Sequence, residues 1–207
     1  MIEITKPMDI EKQSFSIITQ LLGDTKLDPE QEAVIKRVIH TTADFDYVQN
    51  LTFSEHAVEK GIDALKQGCD IVTDTQMAKA GINKTILGRL GGQVHCFMSD
   101  PDVAQEAKAR GVTRATVSME RAANLPKPCI FAIGNAPTAL VSLHEQILAG
   151  KLHPALIIGV PVGFVNVVES KELILTLDVP HIVARGRKGG SNVAAAICNA
   201  MLYQILR

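Results

Sequence analysis

Five short apolar runs, each divided from the next by a helical or mixed stretch, constrain this chain's fold more than any other feature. They lie at 69–73 (CDIVT), 93–97 (QVHCF), 129–133 (CIFAI), 155–160 (ALIIGV) and 181–184 (HIVA). A strand with one wet face alternates apolar with polar residues. Strands that are apolar throughout are buried on both faces, as in a parallel sheet covered by helices. Helical patterns at 103–110, 137–148, 168–175 and 191–207 supply that cover, and 111–124 reads as helix from about Arg114. Helices also precede the first run. One follows Asp9 and closes at Gly23; a second starts at Asp28-Pro29, with Gln31 completing a capping box and Pro29 at N1, and runs to about His40. A third covers Ser54 to Gln67 and stops at Gly68. The expected fold is a single three-layer α/β/α domain over 1–207, with a mainly parallel sheet of five or six strands preceded by two N-terminal helices.

Composition narrows what such a domain can meet. The 21 Lys+Arg against 22 Asp+Glu leave a net charge of −1, so no overall basic field draws in nucleic acid or anionic lipid. Aromatics are 4% of the chain, with no Trp, which argues against a site built by stacking bases. Neither a nucleic-acid nor a membrane partner is expected. The longest nearly apolar run, 154–168, is interrupted by Gly, Pro and Asn and falls short of the ~20 residues of a membrane helix. The polar start, MIEITKPMDIEKQ, lacks the apolar stretch of a secretory leader, so a cytoplasmic protein is expected. Cys69, Cys96, Cys129 and Cys198 are widely spaced and read as buried thiols. His95 and Cys96 are adjacent on a strand and point to opposite faces, so they do not share a metal; no metal site is expected.

Ligands of open parallel sheets bind beyond the carboxyl ends of the strands. Three junctions there are rich in glycine: Gly134-Asn135-Ala136-Pro137-Thr138, Val160-Pro161-Val162-Gly163-Phe164, and Arg185-Gly186-Arg187-Lys188-Gly189-Gly190-Ser191. Each read alone is a tight turn. Together, with three cations beside the helix start at Ser191, they suit a phosphate or carboxylate, because glycine lets backbone approach a ligand and a helix start offers free N–H groups. None has the order of a P-loop or of a Gly-x-Gly-x-x-Gly turn, so no nucleotide cofactor is expected.

On the second helix Val34, Ile35, Val38 and Ile39 form the apolar stripe, and Arg37 and His40 share a face away from it. They read either as a solvated pair or as part of a cleft, since His40 runs into the polar Thr41-Thr42-Ala43-Asp44. An imidazole is suited to giving and taking protons near neutrality. Ser14 falls among Ile10, Ile17, Ile18 and Leu21; its hydroxyl either bonds back to the Ile10 carbonyl or reaches a ligand. His144, Glu145 and His153 have no ligand spacing and read as surface. Ser99-Asp100-Pro101-Asp102 reads as a helix start.

These segments together resemble the precorrin-8X methylmutase family, which includes the cobalt-precorrin-8 methylmutases. The matching stretches are Ser14-Phe15, Arg37-Val38-Ile39-His40, Gly134 to Leu140, Gly159 with Pro161 to Val165, Glu169-Ser170-Lys171, and Arg185-Gly186-Arg187 with Gly189-Gly190-Ser191. The resemblance implies an isomerase of cobalamin biosynthesis. Its reaction would be a 1,5-sigmatropic methyl shift from C-11 to C-12 of a corrin precursor, giving hydrogenobyrinate or cobyrinate, without a methyl donor or other cofactor. It assigns proton transfer to His40 and substrate contacts to Ser14, Arg37 and Arg114; Ala115 stands where the family pattern has serine. It also implies a homodimer with the site close to the interface. A large ring fringed with carboxylates asks for separated anion sites, and Arg37, Arg114, Arg185, Arg187 and the helix start at Ser191 are the candidates, with Asn135 and Gly163 as further expected substrate contacts. Two alternatives share these features: a corrinoid carrier without activity, and a nucleotide-dependent transferase using the arginine-rich junction.

Overall fold

The computed structural model describes residues 7–206. In chain order the elements are α1 (Pro7–Leu22), α2 (Glu32–Thr42), α3 (Tyr47–Asn50), β1 (Leu51–Phe53), α4 (Ala57–Lys66), β2 (Asp70–Thr73), α5 (Gln76–Gly81), α6 (Lys84–Arg89) and β3 (Val94–His95). They continue as α7 (Pro101–Arg110), α8 (Arg114–Ala122), β4 (Cys129–Ile133), α9 (Pro137–Leu148), β5 (Leu156–Gly159), α10 (Val167–Leu175), β6 (His181–Ala184) and α11 (Ser191–Ile205). The strands form one sheet of order β1-β6-β5-β4-β2-β3, parallel except for β1, which pairs antiparallel with β6 at the edge.

Alternation along each central strand divides the core in two. Ile130, Ala132, Leu156, Ile158, Ile182 and Ala184 pack with α2, α4 and α11 on one face. Cys129, Phe131, Ile133, Ile157 and Val183 pack with α8, α9 and α10 on the other. Because successive strand residues face opposite ways, a run that is apolar at every position is what two helical layers require. All four cysteines are free and buried. Among the described residues no helix is long and apolar enough to cross a membrane.

Several local expectations need correction. The first helix begins at Pro7, so Asp9 lies in its first turn and is not its cap. Asp28 does not cap α2 either. Its carboxylate accepts from the Glu30 N–H and forms a separate turn, and the helix starts at Glu32. The helix expected from Ser54 begins at Ala57, while the Ser54 hydroxyl accepts from the His181 N–H at 2.9 Å and ties the end of β1 to β6. The run 93–97 yields only the two-residue β3.

Candidate active site

β4, β5 and β6 are neighbours, so the three glycine-rich junctions lie side by side at the carboxyl edge of the sheet. They interlock through backbone. Gly163 N–H donates to the Arg187 carbonyl (3.2 Å), Gly190 N–H to the Val160 carbonyl (2.9 Å) and Val162 N–H to the Gly134 carbonyl (3.3 Å). Glycine is required at the closest approaches. A Cβ at Gly189 (φ +157°) would lie 2.1 Å from the Val160 oxygen, and one at Gly134 would lie 2.7 Å from the Cα of Ser191.

The first junction does not present free donors to a ligand, contrary to expectation. Gly134, Asn135 and Ala136 N–H groups donate to the carboxylate of Asp74 at 2.9, 2.8 and 2.6 Å. Asp74 follows β2, and the crossovers from β2 and β4 run in opposite directions, so this carboxylate fills the switch-point crevice of the sheet. Burial pushes its pKa up while the three N–H groups hold it down, and burial prevails. The Asn135 side chain itself is exposed at the edge. Ser191 opens α11, whose preceding Gly190 offers no side-chain cap, and the Ser191 hydroxyl lies 2.7 Å from that of Thr75.

The third junction carries its cations on the surface. Arg185 pairs with Glu172 (Nη2 to Oε2, 3.0 Å), and Lys188 bridges Asp44 and Asp46 at 2.6 Å each. The Lys188 bridge pulls down the Asp44 pKa and pushes up that of Lys188. Arg187 is exposed, and its side chain has no hydrogen bond or ion pair among the described residues. Arg114 is exposed at the start of α8, with a 3.4 Å contact to the Met98 carbonyl. The Thr113 hydroxyl donates to Thr138 (2.9 Å), which sets Arg114 beside the β4–α9 junction. Ala115 is 2% exposed and part of the core under α8, so position 115 faces inward.

The other candidates lie on α1 and α2. His40 is exposed at the end of α2 and stacks on Phe15 of α1, ring centroids 5.3 Å apart. Arg37 is set between two aromatic rings, 4.8 Å from Phe15 and 5.0 Å from Tyr203, and its Nη2 donates to Glu11 at 2.6 Å. A cavity of about 620 Å³ opens here between α1, α2 and α11, lined by Glu11, Phe15, Lys36, Arg37 and Tyr203 among others. The Ser14 hydroxyl donates to the Ile10 carbonyl (2.9 Å), the local bond expected for a mid-helix serine. Its neighbours Ile10, Ile17 and Leu21 are 50%, 48% and 66% exposed, so of that apolar face only Ile18 enters the core.

The two groups are joined through Lys188, which binds the segment after α2 to the loop after β6. Sequence reasoning missed Glu11, Asp74 and Tyr203, whose partners are remote in sequence, and gave no role to Phe15 or Lys171. Asp74 directly after an apolar strand was the one available signal.

Fold and site together define a doubly wound α/β protein with basic groups along one edge and an exposed histidine on a flanking helix. Residues 9–204 match the family model described as precorrin-8X methylmutase. The chain is 47% identical to the cobalt-precorrin-8 methylmutase of Salmonella typhimurium, over 98% of this chain and 97% of that one. It is 44% identical to that of Priestia megaterium, over 95% and 87%. The solved precorrin-8x methyl mutase of Thermus thermophilus superposes with a TM-score of 0.87 at 39% identity, covering 95% of this chain and 97% of that one. The chain belongs to the precorrin-8X methylmutase family and is an isomerase of cobalamin biosynthesis.

Proposed function

We propose that the enzyme moves a methyl group from C-11 to C-12 of cobalt-precorrin-8, or of its metal-free counterpart precorrin-8X, by a 1,5-sigmatropic shift. Cobalt, where present, belongs to the substrate. The relatives at 47% and 44% identity carry the cobalt-precorrin-8 name, which favours that substrate. A sigmatropic shift needs no nucleophile and no methyl donor. It needs a ring held in one conformation and a proton placed to redistribute charge through the conjugated system.

His40 is the proposed proton donor and acceptor, acting at the ring C nitrogen region. The single observation that carries this role is its placement. The imidazole is exposed, yet held by the Phe15 stack, on a helix whose following segment is tied by Lys188 to the arginine-bearing loop. Ser14, Arg37, Arg114, Asn135, Gly163, Arg185, Arg187 and Ser191 are the proposed substrate contacts, with arginines on the peripheral carboxylates. Gly163 contributes close backbone approach, its N–H being engaged by Arg187. Arg37 and Arg185 pair with the chain's own carboxylates, Glu11 and Glu172, which supports their proposed role toward a carboxylate.

The working form is proposed to be a cytoplasmic homodimer. The exposed row of Ile10, Ile17 and Leu21 surrounds Ser14, so a second copy covering that row would bring an interface to a substrate contact.

The experiment is conversion of precursor carrying a ¹³C-labelled C-11 methyl, in cobalt and metal-free forms. The expected product has the label on C-12 and forms without S-adenosylmethionine or ATP. Bound precursor recovered unchanged would favour a carrier, and a requirement for either nucleotide would favour a transferase.

A further inference from the structure

The Glu169-Ser170-Lys171 stretch contains a charged residue that the proposed chemistry does not use. Lys171 of α10 is fully buried, at 0% exposure. Its Nζ donates to the carbonyls of Gly186 (2.8 Å) and Lys188 (2.9 Å), and no carboxylate among the described residues lies within ion-pair distance of it. Lysine ordinarily keeps its ammonium in water, and a buried one is normally matched by a counter-charge. Here both acceptors are neutral backbone oxygens of the loop that carries Arg185, Arg187 and Lys188.

Two of the loop's other side-chain ties lie at the surface. Arg185–Glu172 and Lys188–Asp46 join groups that are about half-exposed, and such pairs are weak and screened by salt. The Lys171 tie is out of solvent and grips two peptide carbonyls on either side of Arg187. It therefore sets the backbone from which the Arg187 guanidinium extends. Holding two carbonyls needs only two N–H donors, which a neutral amide also has; an ammonium adds charge in a poorly screened place.

We propose that Lys171 is a positioning residue for substrate binding: its buried ammonium fixes the loop of residues 185–191 through the Gly186 and Lys188 carbonyls, and its unmatched positive charge strengthens that loop's hold on the carboxylates of the corrin precursor. This rests on the reading of the loop as a carboxylate-binding element.

The test compares Lys171→Gln, which keeps N–H donors without charge, with Lys171→Met, which keeps neither, in the full-length protein. Binding of cobyrinate is followed by visible absorbance across a salt series, together with kcat and KM. Lys171→Met is expected to raise KM and the cobyrinate Kd about tenfold, with kcat within about threefold of wild type, because the His40 side is untouched. Lys171→Gln should fall between the two, and its loss of affinity should persist at high salt, because the charge it lacks is buried and poorly screened. A wild-type Kd across the salt series in Lys171→Gln would overturn the proposal, and this variant decides it if Lys171→Met fails to fold. Arg187→Ala separates the two levels. If it leaves the Kd unchanged, the loop does not bind carboxylate and both readings fall. If it weakens binding while Lys171→Gln does not, only the role of Lys171 is lost.

Discussion

Phe15 and His40 stack with ring centroids 5.3 Å apart and planes 11° from parallel. The same ring lies 4.8 Å from the Arg37 guanidinium, so one residue of α1 braces both polar groups of the α2 face. An aromatic pair contributes about 0.5–1.5 kcal/mol, and a cation–π contact about 0.5–1. Phe15→Leu is therefore expected to lower kcat/KM about tenfold in steady-state assays while unfolding free energy falls by only about 1 kcal/mol in urea. Unchanged kcat/KM would mean that His40 does not need its brace.

Arg37 is enclosed, with 12% of its side chain exposed, and its partner Glu11 is 51% exposed. A substrate carboxylate that binds Arg37 must displace Glu11. Removing that competitor with Glu11→Gln should tighten cobyrinate binding by about 3- to 5-fold, consistent with a half-exposed ion pair of about 1 kcal/mol or less. Arg37→Ala should loosen binding, with the larger effect on KM. Titration by absorbance reads both; weaker binding in Glu11→Gln would show that the pair serves to hold α1.

The fold was most legible where the chain is punctuated by glycine and proline. β4, α9 and β6 fall at the residues read from CIFAI, PTALVSLHEQIL and HIVA, because an apolar run followed by Gly-Asn-Ala-Pro or Arg-Gly leaves little freedom at the boundary. β1 was illegible: Leu51–Phe53 is three residues long and becomes a strand only by pairing with β6, about 130 residues away. The short helices α5 and α6 escaped for a similar reason, each being six residues long and started by a side-chain cap from Thr75 or Asn83. Within the site, the side-by-side junctions could be read because strand order follows from topology. The use of their N–H groups could not, because the Asp74 carboxylate lies 60 residues or more from its donors. Likewise nothing local marks Arg37 as the partner of Glu11, 26 residues earlier.

The exposed row on α1 bears on assembly. Ile17→Asp places a charge at the middle of that row, on a residue 48% exposed and outside the core. The expected result is a monomer by light scattering, with its helical circular dichroism retained and its kcat/KM reduced at least tenfold. A dimer that persists would place the interface elsewhere.

Burial pushes the Lys171 ammonium down to about 8, from 10.5 in an unperturbed lysine. Between those values the unfolded chain holds the proton that the native protein has released, so stability rises with pH across this window. Below it both states are charged and the burial cost is present in full. A shift of this size corresponds to about 3 kcal/mol. In urea unfolding, the stability of wild type minus that of Lys171→Met should rise by about 2 kcal/mol from near pH 7 to near pH 10. A difference that stays flat would mean the ammonium is not desolvated.

Proton transfer by His40 is the central claim, and His40→Ala with the natural precursor tests it most directly, through the visible spectrum of the bound chromophore under single-turnover conditions. The side chain is exposed, so the variant should fold and bind normally. The expected spectrum is that of bound, unrearranged precursor, converting about 10²–10⁴-fold more slowly than in wild type. Conversion to the rearranged chromophore at the wild-type rate would contradict the account.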